Sequence, residues 1–241
     1  GVGLATGQFL FDMSARAALF LLPTVPGFEY PRSDLPPNVR FIGALPAPAP
    51  RDCEEPEWFA ELAGAKPVIH VSQGTVANSR PDLFRPALEG LQHENVLVVV
   101  ATGGRARDEL GLRDVPANVR VASFLSYPKL LPRTSVMITN GGYGGVQIAL
   151  AHGVPLIVAG TTEDKPEVAA RVAWSGAGLD LKTATPTPAA VRDAVRKILA
   201  SPAFASRARG LAQEYASHDA VRLGAVEIEK LISSRATAAP A

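Results

Sequence analysis

Between Ser135 and Lys165 the chain reads strand, glycine loop, helix, strand, and few folds accept that order. The apolar run 136–139 predicts a buried strand, and Gly141, Gly142, Gly144 and Gly145 follow at once. A helix is expected after them, with Val146, Ala149 and Leu150 on one face. Gly153 occupies the position where helices end in a left-handed residue, and Pro155 prevents continuation. A second buried strand over 156–159 leads to the acidic pair Glu163 and Asp164.

Glycines at a strand-to-helix junction let backbone N–H groups approach a ligand without a Cβ in the way. The first N–H groups of the helix, unpaired within it, carry partial positive charge. Phosphate is the anion that such a junction most often holds. A tight turn needs one or two glycines, and four in five positions exceed that need. The loop lacks the Gly-Lys-Ser/Thr ending of a Walker A motif. It also departs from Gly-x-Gly-x-x-Gly, because the last slot falls on Gln147. An acidic pair about twenty residues on has the spacing of a ribose contact and keeps a nicotinamide reading open.

Gly141-Gly142, Ala149-Leu150, Gly153-Val154-Pro155 and Asp164 stand in the order and spacing of a longer signature. The segment resembles the nucleotide-sugar motif of family-1, GT-B glycosyltransferases of the macrolide and UDP-glycosyltransferase kind. Asn140 stands where that family has His, Gly144 and Gly145 replace Asn-Ser, Ile148 replaces Glu, and Lys165 replaces Gln. Asn140 still donates hydrogen bonds but cannot become cationic, and the extra glycines shift recognition onto backbone N–H groups.

Residues 17–22 form an apolar, strand-sized run that needs neighbours on both faces, so preceding residues are expected to be missing. By the resemblance, 1–50 close an acceptor domain and enter the interdomain linker, and Pro46, Pro48 and Pro50 independently read as a stiff connector. Residues 51–232 are then the nucleotide-sugar donor-binding domain, and 233–241 a disordered tail. A helix is expected over 56–63, a strand over 67–72, a helix over 81–91, and strands over 95–101 and 118–124. Gly74 and Thr75 match the family's Gly-Ser/Thr turn after the first strand, where a hydroxyl points into the ligand cleft. The run 124–131 resembles the stretch where an aromatic ring stacks on the base. Phe124 would either supply the ring or pack in the core, and the backbone of Leu125 would read the base edge. Asp164 has two readings, helix cap and sugar contact. A sixth strand is expected over 177–181, with helices from Thr187-Pro188, over 202–216 and over 219–232.

The alternation predicts an α/β, doubly wound parallel sheet, Rossmann-like, here the C-terminal domain of a GT-B enzyme with a short remnant of the N-terminal one. A formal net charge of +1 and no basic block argue against a nucleic-acid surface. No run reaches the length of a membrane span. The lone Cys53 excludes an internal disulfide framework and agrees with a cytoplasmic location. The resemblance implies transfer of a hexose or deoxyhexose from a UDP- or dTDP-sugar to a small lipophilic acceptor, with inversion and without a metal or other cofactor. Its partners are thus the nucleotide sugar, the acceptor and the missing N-terminal acceptor domain. The family's catalytic His belongs to that domain. None of His70, His93, His152 or His218 matches its motif, so no catalytic residue is assigned and the chain alone is expected to be inactive. A non-catalytic sugar-nucleotide-binding protein would share every donor feature.

Overall fold

The computed structural model describes residues 13–46, 55–74 and 82–237. Six strands form one parallel sheet: β3 (Val68–Ser72), β4 (Leu97–Ala101), β5 (Val119–Ala122), β6 (Val136–Thr139), β7 (Leu156–Val158) and β8 (Gly178–Asp180). Their order is β5-β4-β3-β6-β7-β8, which counted from β3 is 3-2-1-4-5-6. That is the doubly wound arrangement expected, and ligands of such sheets bind where the order reverses, here between β3 and β6.

Helices cover both faces, so the strands carry apolar residues at successive positions. Ile69, Val71, Val98, Val100, Ile138 and Ile157 point to the side covered by α2 (Phe84–Leu91) and α6 (Pro188–Ala200). Met137, Leu156 and Val158 point the other way, against α4 (Tyr143–Ala151), α5 (Lys165–Trp174) and α7 (Pro202–Ala216). The third cluster joins Val68, Leu97 and Val99 to Phe59, Leu62, Leu125 and Leu130. Its helical cover is a 3-10 segment, Glu57–Ala63, rather than an α-helix, together with α3 (Tyr127–Leu130). Thr187 caps α6 as expected, its hydroxyl accepting from the Ala190 N–H at 3.2 Å. The last helix, α8 (Ala220–Thr237), runs into the stretch expected as a tail.

At the other end of the sequence, α1 (Met13–Arg16) precedes a two-stranded parallel sheet, in which β1 (Phe20–Leu22) pairs with β2 (Val39–Phe41). Between them, fully buried Val25 and Phe28 enter the same core cluster as α4, α5 and α7. Glu214 of α7 accepts from the Gly27 N–H at 3.0 Å, and Arg207 donates to the Gly27 carbonyl at 2.8 Å. Arg40 on β2 pairs with Glu227 of α8. A sequence boundary near residue 50 therefore does not divide the packing.

Candidate functional site

The carboxyl ends of β3, β6 and β7 converge at the switch point. Gln73 and Gly74 follow β3, Asn140 to Gly142 follow β6, and Gly160 to Asp164 follow β7. A cavity of about 220 Å³ opens among them, lined by Gln73, Asn140, Gly160, Thr161, Thr162 and Lys165 among others. A larger cavity of about 470 Å³ lies between the β1–β2 segment and Arg171 of α5. It is walled mainly by Leu22, Pro26, Tyr30, Leu35 and Phe41, and none of the three sheet-edge loops lines it. Its polar lining, drawn from all three sheet-edge loops, marks the smaller cavity as the candidate site.

Asn140 ties two loops together. Its side-chain N–H donates to the Gln73 carbonyl at 2.7 Å, and its Oδ1 accepts from the Gly142 N–H at 3.4 Å. The buried Gln73 side chain accepts from the Leu83 and Phe84 N–H groups at 3.2 and 3.3 Å, capping α2 in place of a local residue. Gly74, at φ +72°, ends β3 with open space where a Cβ would stand, and its N–H donates to Ser72 Oγ. Thr75 lies outside the described residues.

The helix starts earlier than the sequence suggested. Gly142 is its N-cap and Tyr143 its first residue, so Gly144 and Gly145 sit in the first turn of α4 instead of a loop before it. Nothing lies within 4 Å of a Cβ built on either. A chain gains no packing from two glycines in a helical turn and loses about 1 kcal/mol for each relative to alanine. What they provide is an unobstructed row of N–H groups at the positive end of the helix. Gly141, at φ +86°, has the opposite surroundings: its Cβ would meet Val158 Cγ1 at 2.6 Å.

On the β7 side, Asp164 is exposed at the N-cap position of α5 yet makes no capping hydrogen bond. The capping-box expectation fails there, because Asp164 has αR backbone angles whereas a capping residue is usually extended. Lys165 is buried, and its ammonium pairs with the Glu163 carboxylate and reaches Thr162 Oγ1 at 3.3 Å. Glu163 holds φ +58°, a conformation that non-glycine residues adopt at a cost and that recurs at ligand loops.

Phe124 stands past the end of β5 and is 46% exposed, which rules out a core role. Its ring edge covers Gly104, where a Cβ would come within 2.8 Å of Cζ. Leu125 is buried in the β4-side cluster, so only its backbone can face a ligand. The ring and the cavity belong to two sheet edges, β4–β5 and β6–β7, on either side of the switch point. His70 is fully buried on β3, its Nδ1 3.1 Å from the Val99 carbonyl and its ring edge-on to Tyr127. Burial lowers its pKa to about 4.

Gln73 and Gly160 were not expected at the site from the sequence. Gly160 could have been, since it ends a buried strand in the same way as Gly141.

A family model for the erythromycin biosynthesis protein CIII-like C-terminal domain matches residues 87–227, more than half the chain. The chain belongs to this family. The EryCIII-like match includes β6, α4, β7 and α5, the elements that build the candidate site. The chain is 54% identical over 203 residues to 4'-demethylrebeccamycin synthase of Lentzea aerocolonigenes, covering 84% of this chain and 47% of that protein. It is 42% identical over 222 residues to UDP-glycosyltransferase 2 of Phaeomoniella chlamydospora, covering 89% and 49%. Among solved structures, the glycotransferase of kitacinnamycin superposes with a TM-score of 0.74 at 31% identity, over 91% of this chain and 56% of that one. The chain thus spans about half the length of the curated relatives it matches.

Proposed function

We propose that the chain is the donor-binding portion of a glycosyltransferase. The observation that carries this reading is the glycine pair, with open space at both Cβ positions, in the first turn of α4 at the switch point of a 3-2-1-4-5-6 sheet. Two relatives, named 4'-demethylrebeccamycin synthase and UDP-glycosyltransferase 2, support it. The donor is a UDP- or dTDP-sugar. Its diphosphate rests on the N–H groups of Gly142, Gly144 and Gly145, with Asn140 and Gly74 as further contacts. Its base lies toward Phe124 and the Leu125 backbone, and its sugar toward Asp164 and Lys165.

The chemistry follows from these groups. As the glycosidic bond breaks, negative charge grows on the leaving diphosphate, and fixed N–H dipoles at the end of α4 stabilise it without reorganising. The uncapped Asp164 carboxylate accepts hydrogen bonds from sugar hydroxyls. Inverting transfer to a small lipophilic acceptor also needs a general base for the acceptor hydroxyl. That base is expected on the acceptor domain, in the half of the relatives that this chain does not match.

Binding only to the native state raises its melting temperature, so the ligand class can be read by thermal shift. Saturating UDP or dTDP should stabilise the chain, and NAD or NADP should not. A larger response to NAD than to either pyrimidine diphosphate would replace this reading with the nicotinamide one, in which Glu163 or Asp164 binds a ribose.

A further inference from the structure

The first three helical residues of α4 are Tyr143, Gly144 and Gly145, so only Tyr143 has a side chain with which to hold that turn. Its hydroxyl donates to Glu29 Oε1 at 3.0 Å. The other carboxylate oxygen, Oε2, accepts from Arg171 Nε of α5 at 2.7 Å. Glu29 comes from the segment between β1 and β2, far away in sequence from both helices. Its side chain is 14% exposed and that of Arg171 24%.

We propose that Glu29 is a positioning residue for the donor site, setting the glycine turn of α4 against α5 through Tyr143 and Arg171. The proposal rests on reading the α4 terminus as the diphosphate site. The two helices it joins begin at the two halves of that site: α4 with Gly142 to Gly145, and α5 with Asp164 and Lys165. Glycine-rich turns have the greatest backbone freedom, and N–H groups that must meet a diphosphate lose affinity when their direction is not fixed. One carboxylate with a partner on each helix fixes it.

The contact is built to persist. A carboxylate this enclosed is costly unless both oxygens are satisfied, and both are. Arg171 is held in turn by the Tyr30 ring, 4.9 Å from its guanidinium carbon, and Tyr30 meets Trp174 edge-on at 5.0 Å. Burial first, then the charge of Glu29, raises the Tyr143 pKa, so the phenol keeps its proton and remains the donor. A role confined to stability would not require the bond to end on the residue beside the glycine pair.

Calorimetry with UDP on the full chain tests the idea. Tyr143→Phe keeps the packed ring and deletes only the hydroxyl; Glu29→Gln keeps the shape and removes the charge. Each should weaken UDP about fivefold by releasing the turn, and the double variant should be no weaker than the worse single one, because both break the same link. Val191→Ala, in α6 and remote from the contact, serves as a stability control and should leave UDP affinity unchanged. Unchanged affinity in Tyr143→Phe and Glu29→Gln would overturn the proposal, as would losses that add in the double variant or an equal loss in Val191→Ala. Failure of the parent chain to bind either UDP or dTDP would instead remove the donor reading, and this proposal with it.

Discussion

At Gly160 and Gly141 an added Cβ would meet the Asn140 carbonyl oxygen at 2.0 Å and Val158 Cγ1 at 2.6 Å, whereas at Gly144 and Gly145 it would meet nothing within 4 Å. All four lie at the carboxyl edge of β6 and β7. The first pair is required by the fold, since it lets the two loops touch. No neighbour among the described residues requires the second pair, which accords with the proposed approach of a ligand to the helix end. Glycines that look alike in a sequence thus divide into a packed floor and an open mouth.

The division predicts different responses. The largest is expected at the floor: Gly160→Ala drives a Cβ into backbone and should cost on the order of 3 kcal/mol or more, read by urea denaturation. Wild-type stability in that variant would break the comparison at its firmest point.

His70 extends the enclosed side of the comparison to β3. Its folded pKa, about 4, lies below the ordinary 6.5, so the native state stays neutral where the unfolded chain takes up a proton. Stability is therefore full above about pH 6.5 and falls as the pH drops toward 4, by on the order of 3 kcal/mol, before levelling off. Denaturation midpoints measured across that range should show the slope, and His70→Asn should flatten it. Because His70 lies outside the candidate site, UDP affinity in that variant should stay unchanged. A profile unaltered by the substitution would mean that His70 does not differ between the folded and unfolded states.

The smallest effect is expected at the mouth, and there the signs oppose. Gly144→Ala should raise stability by up to about 1 kcal/mol through helix propensity. Gly144→Val should weaken UDP binding about tenfold, because a branched side chain stands over the N–H groups. A melting curve and one titration on each variant suffice. A stable Gly144→Val variant with unchanged affinity would place the phosphate elsewhere.

Much of this was legible in the sequence. Apolar runs at 67–72, 95–101 and 136–139 could only be strands buried on both faces, and the Gly153-Val154-Pro155 step ended α4 where it does end. Helix starts were less legible. Glycine has poor helix propensity, so Gly144 and Gly145 read as loop, but the turn forms because Val146, Ala149 and Leu150 are buried behind it. Asp164 followed by Glu167 read as a capping box, yet the chain enters α5 with Asp164 already in helical geometry and its carboxylate makes no cap.

The sequence alone determined the local periods, the glycine clustering and the family signature, because hydrophobic spacing and backbone freedom act over a few residues. It therefore determined a doubly wound sheet and an anion-ready helix end. Which glycines the fold itself requires was decided only when β6 and β7 were brought side by side, since steric contact between Gly160 and Asn140 has no trace in spacing. The same holds for Gln73 capping α2, ten residues away, and for Glu29, 114 residues from Tyr143 and 142 from Arg171. A buried polar group must find its partner wherever packing has put one, and that choice is made by the assembled core rather than by neighbours along the chain.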